Sequence, residues 1–264
     1  MVVPFDPFSP EGPEEVPLER APLVRVIAQI RFPPIASLGR ADFMAPFQEA
    51  IRARYPILTP ERTAGFMFGP QGVMLQNSDG VVWRFHDKLN TWSVSLGPDF
   101  VALESTAYTD RDDFFGRFDE IVRALDQVAK LPVYLRLGVR YINRVRGPEL
   151  ETLPALVRPE VLGLAGSMVT GFNHSICESL FTQDDVALST RWGRLPSGTT
   201  TDPAALLPID EPSWVLDLDM FRAAQRDFDA AEVLRECRRF AETIHGFFRW
   251  CVLPKFLETY GGKG

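Results

Sequence analysis

Polar and apolar residues alternate with period two along several short stretches of this chain. The clearest runs Pro132-Val-Tyr-Leu-Arg-Leu-Gly-Val-Arg-Tyr-Ile-Asn-Arg-Val-Arg146. Such alternation marks a half-buried strand. It places Val133, Leu135, Leu137, Val139 and Tyr141 on one face and Tyr134, Arg136, Arg140 and Arg144 on the other. Residues 23–32 alternate in the same way until Pro33-Pro34 stops them, with Arg25, Ile27, Gln29 and Arg31 sharing a face. Residues 66–107 read as an antiparallel meander, turned at Asn77-Ser-Asp-Gly80 and again at Gly97-Pro98-Asp99. A hairpin is predicted over 172–181 and 186–195, followed by a Thr-, Pro- and Gly-rich loop at 196–212 and a strand at 213–219.

A 3.6-residue period replaces the two-residue one in three places. Over 41–54 it collects Phe43, Phe47, Ala50 and Ile51. Over 110–130 it collects Phe114, Phe118, Ile121, Leu125 and Val128 behind a cap at Thr109 or Asp110. The longest helix starts near Asp229 and carries Val233, Cys237, Phe240, Ile244, Phe248 and Cys251 on its apolar face. The chain therefore runs twice through strands and then a long amphipathic helix. We expect an α+β fold of two antiparallel sheet-plus-helix units that could share one continuous sheet. The expected divisions are a Pro-rich extended arm over 1–22, a first unit over 23–146, an irregular linker over 147–170 and a second unit over 171–264. Phe5 and Phe8 could pin the arm to the body or to a partner.

Composition narrows the function classes. A net charge of −7 over 264 residues argues against non-specific nucleic-acid binding, which needs a basic face. Cys177, Cys237 and Cys251 form no CxxC and no disulfide framework, so a reducing, cytoplasmic setting is expected. Residues 1–22 hold six prolines and five acidic residues with no apolar core, so no targeting signal is expected there, and no run approaches the roughly 18–20 apolar residues needed to span a bilayer.

Catalytic constellations are missing from the pattern. His86 and His245 suit a turn and a helix end. His174 and Cys177, three apart on a strand, point to opposite faces. No HExxH or paired CxxC supports a metal site, and neither Gly69-Pro-Gln-Gly72 nor Gly163-Leu-Ala-Gly166 is a nucleotide-binding loop. Asp217 and Asp219 share one strand face. They could bind a metal or share a proton, or they could answer arginines across the sheet. No cofactor is expected.

The arginine rows are the candidate binding chemistry. A guanidinium on a half-buried face needs a carboxylate, a phosphate or water. If 23–31 and 134–144 neighbour each other, Arg25, Gln29, Arg31, Tyr134, Arg136, Arg140 and Arg144 form a cationic surface for acidic groups, with Trp192 of the hairpin as an apolar anchor. Internal pairing with Glu104, Glu178 or Asp217 is the competing arrangement. Exposed antiparallel edges could also accept an extended peptide as an added strand.

The pattern Pro22-Leu-Val-Arg-Val-Ile-Ala-Gln-Ile-Arg-Phe-Pro-Pro34, with Phe47-Gln-Glu49, Tyr55-Pro56 and Arg136-Leu-Gly-Val-Arg-Tyr-Ile-Asn-Arg144, resembles a sporadically distributed family of bacterial proteins of about this length. The likeness covers most of the first 146 residues. The family has no established activity and brings no catalytic residues. What the resemblance implies is an accessory protein of small gene clusters, including those that mature ribosomally made peptides. The expected function is non-catalytic binding of an extended peptide or small protein, such as a precursor peptide. An enzyme acting on an anionic small molecule and an antitoxin- or defence-associated binding partner are the alternatives.

Overall fold

The alternating stretch Leu23–Arg31 is a strand, β1, with Val26, Ala28 and Ile30 fully buried and Arg25, Ile27 and Gln29 half-exposed on the other face. The computed structural model describes residues 5–9, 13, 15–69, 72–166 and 171–262, with 62–69, 72–80 and 166 described in backbone alone. Residues 1–4, 10–12 and 14 of the expected arm lie outside them.

After β1 come α1 (Ala41–Ile51), β2 (Ile57–Gly69), β3 (Gly72–His86), β4 (Trp92–Leu96), β5 (Phe100–Ser105), α2 (Arg111–Ala129), β6 (Val133–Tyr134) and β7 (Arg136–Arg146). Three one-turn helices follow, α3 (Pro148–Glu151), α4 (Leu153–Leu156) and α5 (Pro159–Leu162). The chain then forms β8 (Ser175–Gln183), β9 (Val186–Leu195), β10 (Ser213–Arg222), β11 (Arg226–Asp227), α6 (Ala230–Cys251) and α7 (Pro254–Thr259). Nine strands make one antiparallel sheet in the order β2-β3-β4-β5-β1-β7-β10-β9-β8, and β6 and β11 make a two-stranded one. The α+β class and the large antiparallel sheet match the expectation from periodicity.

The chain divides into two compact units, each discontinuous in sequence. One comprises Ile27–Leu137 and Ala223–Arg235, the other Met1–Val26, Gly138–Arg222 and Glu236–Gly264. In the first, Phe47, Phe85, Phe114, Phe115 and Phe118 are fully buried. Helix α2 begins at Asp110, whose side chain accepts from the Asp113 amide. In the second, the far end of α6 covers one sheet face, and Phe247 meets Phe181 with ring centroids 5.4 Å apart. Phe5 stacks on Trp250 at 5.1 Å. Within residues 147–170, expected to be an irregular linker, Leu153, Leu156, Val161 and Leu162 are buried.

Two local expectations are corrected. Asn77–Gly80 does not turn a hairpin but lies within β3. The pairing jumps from Arg62↔Val81 to Ala64↔Asn77, so the turn-forming residues are absorbed as a bulge opposite residue 63. The stretch 132–146 is not one strand either. It breaks at Leu135, which is exposed while Tyr134 is buried. Residues Val133 and Tyr134 pair with β11, whereas β7 continues beside β1.

Candidate functional site

The register of the second unit sets side chains of alternating charge across neighbouring strands. Asp217 of β10 lies opposite Arg191 of β9, and Arg191 lies opposite Glu178 of β8. From β7, Arg140 donates from Nε and Nη2 to the two Asp217 carboxylate oxygens at 2.8 and 2.7 Å. Arg191 donates to Glu178 at 3.0 Å and stands 3.9 Å from Asp217. The result is a row Arg140–Asp217–Arg191–Glu178. Side-chain exposure rises along it from 19% and 7% at the buried end to 27% and then 61% at the sheet edge.

The 196–212 loop covers the buried end of this row. Asp202 accepts from Arg140 Nη1 at 2.8 Å, the Ala204 carbonyl from Arg25 at 3.3 Å and the Leu207 carbonyl from Arg144 at 2.8 Å. Asp202 is fixed locally, because its carboxylate accepts from the Ala204 amide and its carbonyl from the Leu206 amide. Burial pushes the Asp202 carboxyl up, but the Arg140 guanidinium together with the Ala204 and Ala205 amides holds it below its ordinary value. At Arg140, burial disfavours the charge, yet Asp217 and Asp202 raise its pKa above the ordinary arginine value. Arg144 is the opposite case. Burial and the neighbouring Arg146 lower its pKa, and its Nε and Nη2 are buried with no hydrogen-bond partner among the described residues.

Arg140, Ser189, Arg191, Asp202, Asp217 and Asp219 line a cavity of about 120 Å³. Three carboxylates face two guanidiniums there, so the lining favours a cationic or zwitterionic group over an anion. His174 is exposed and outside this lining.

Of the residues singled out by alternation, Arg25, Arg140 and Arg144 are brought together beneath residues 202–207. Gln29, Arg31, Tyr134 and Arg136 belong to the other unit, where Arg31 bonds Asp99 at 2.6 Å and Tyr134 is buried. Trp192 lies beside Arg191 in sequence and therefore on the opposite sheet face, the one that carries Cys177 and Phe181. Asp202 and the carbonyls of residues 204–207 were not legible beforehand. The loop's only signal was its turn-forming composition.

Strand β8 closes the row. It ends the sheet order, and among the described residues no strand pairs with its outer edge. Its nine residues stay in continuous register with β9 from Ser175↔Arg194 to Gln183↔Val186. The register depends on Gly193, at φ +148°, because a Cβ there would stand 1.9 Å from the Ser175 carbonyl oxygen. On the face shared with the charged row, β8 exposes Glu178, Leu180 and Thr182, Leu180 at 62%.

Comparison with protein-family models and with curated proteins returns no match. Among solved structures, the crystal structure of DynU16, a protein of the dynemicin biosynthetic locus, aligns over 86% of this chain and 97% of its own at 10% identity. The TM-score of 0.20 does not establish a common fold.

Proposed function

We propose that this protein is a non-catalytic binding protein that takes up an extended peptide or protein segment as an added strand on the outer edge of β8. The observation that carries this is the unguarded character of that edge. Sheet edges are ordinarily blunted by proline, lysine, bulges or short length, since their free amides and carbonyls recruit other chains. Ser-Ile-Cys-Glu-Ser-Leu-Phe-Thr-Gln has no proline and no lysine, keeps unbroken register over nine residues and exposes a leucine. A strand laid beside it gains backbone hydrogen bonds from every second residue, and alternate side chains then supply selectivity.

The arginines act here indirectly. Arg140 and Arg191 hold the charged row that orders the β8–β9–β10 face, while Arg25 and Arg144 hold the 196–212 loop. An enzyme acting on an anionic small molecule fits less well, because the cavity's carboxylates outnumber its guanidiniums. The resemblance of residues 22–146 to accessory proteins makes a precursor peptide the first natural occupant to try.

The test is selection from a phage-displayed library of random twelve-residue peptides, followed by hydrogen exchange of the full chain. Selected peptides are expected to slow exchange at about half of the β8 amides, those that face outward. Selection of no peptide, or binding that leaves exchange over 175–183 unchanged, would overturn the proposal.

A further inference from the structure

We infer that the strand taken up at β8 carries a lysine or arginine directly opposite Glu178 and an apolar residue two positions away, opposite Leu180. The inference rests on the strand-addition reading and adds the chemistry of the occupant. Across β7, β10, β9 and β8 the facing charges alternate in sign and stop at Glu178, the most exposed member. The next strand outward places a side chain about 5 Å from Glu178, where an opposite charge stabilises the pair and a like charge destabilises it.

The surrounding charge points the same way. Arg140 and Arg191 stand with Asp202, Asp217, Asp219 and Glu178, two guanidiniums among four carboxylates. In the adjoining row Asp219 lies opposite Ser189, and Ser189 opposite Leu180. Leu180 is the exposed apolar residue of this face, Ile176 being half-buried, and gains most from an apolar neighbour. Glu178 and Leu180 share a face because they are two residues apart, so one bound strand reads both.

A second copy of β8 does not satisfy this pattern. The segment Ser175–Gln183 contains no lysine or arginine, so no register of β8 against itself gives Glu178 a cation. An acidic peptide would place like charge at the exposed end of the row.

Two synthetic peptides make the test independent of register. One repeats Lys-Thr-Val-Thr and the other Glu-Thr-Val-Thr, so charged and apolar residues alternate along one face. Binding is measured by fluorescence anisotropy with hydrogen exchange over 175–183, for the full-length parent and for Glu178→Arg. The parent should prefer the lysine peptide roughly fivefold, and Glu178→Arg should reverse that preference. Glu178→Gln should bind both peptides about equally and so separates charge from a folding defect. If both peptides protect β8 but the preference survives Glu178→Arg, this inference falls and strand addition stands. If neither binds, or a β8-paired dimer appears in sedimentation, the inference also falls. Strand addition itself is then judged by the library selection.

Discussion

Substituting asparagine for Asp217 keeps the side chain's volume and removes its charge. The carboxylate is 7% exposed, accepts two hydrogen bonds from Arg140 and stands 3.9 Å from Arg191. In the variant, Arg140 keeps Asp202 at 2.8 Å, but two of its donors face an amide. Removing one member of a buried, hydrogen-bonded charge pair costs about 3–5 kcal/mol, and the surviving Asp202 contact places this case near the lower end. With a urea dependence of about 2–3 kcal/mol per molar, the unfolding midpoint should fall by roughly 1–1.5 M. The double variant Arg140→Met/Asp217→Leu removes both charges of the pair and should be less destabilised than the sum of the singles, short of the parent by the Asp202 contact it gives up.

The acid limb supplies a second readout. Asp202 has a folded-state pKa below its ordinary value of 3.8, so its contribution is present above that pH and is lost as pH falls through the folded value. The parent midpoint should therefore drop as pH falls below 3.8, and the drop should shrink in Arg140→Met. A cost under about 1 kcal/mol for Asp217→Asn, or singles that simply add in the double variant, would refute the view that this row is held by desolvated charge.

Gly193→Val should separate β8 from β9, because its Cβ would meet the Ser175 carbonyl at 1.9 Å on a backbone at φ +148°. A loss of about 3 kcal/mol or more, with fast hydrogen exchange over 175–183, is the expected result. Arg144→Met should be neutral within about 1 kcal/mol in the same urea titration, since the lost bond to the Leu207 carbonyl is offset by removing a buried guanidinium with two nitrogens unpartnered among the described residues. A loss above about 2 kcal/mol would mean that those nitrogens are answered in solution.

Much of the fold was legible because its elements carry their own periodicity. Strand β1, helix α2 and helix α6 stand where amphipathic patterning put them, the helices behind Asp110 and Asp229 as caps. Asn77–Gly80 misled because local turn preference competes with pairing over the whole β2–β3 hairpin, and the longer pairing absorbed it. The break at Leu135 was hidden because the partner of Val133 and Tyr134 is β11, about ninety residues downstream. At the site, alternation identified Arg140 and Arg144 as sharing a face, and Asp217 was among their possible partners. Periodicity tells which way a side chain points but not what covers it. The loop that brings Asp202 onto Arg140 is a tertiary arrangement without a local signature.

The discontinuous units constrain the order of assembly. Ile27–Leu137 emerges from synthesis as one stretch and holds most of its unit, lacking only Ala223–Arg235. The other unit needs Met1–Val26, then a wait through 111 intervening residues for Gly138–Arg222, and finally Glu236–Gly264. Such long-range closure is slow, and it leaves apolar strand surface unsatisfied until late. The face of β8 that Phe247 of α6 packs against is complete only after Glu236–Gly264 has been added, so a nascent chain stalled before Glu236 would leave Phe181 uncovered.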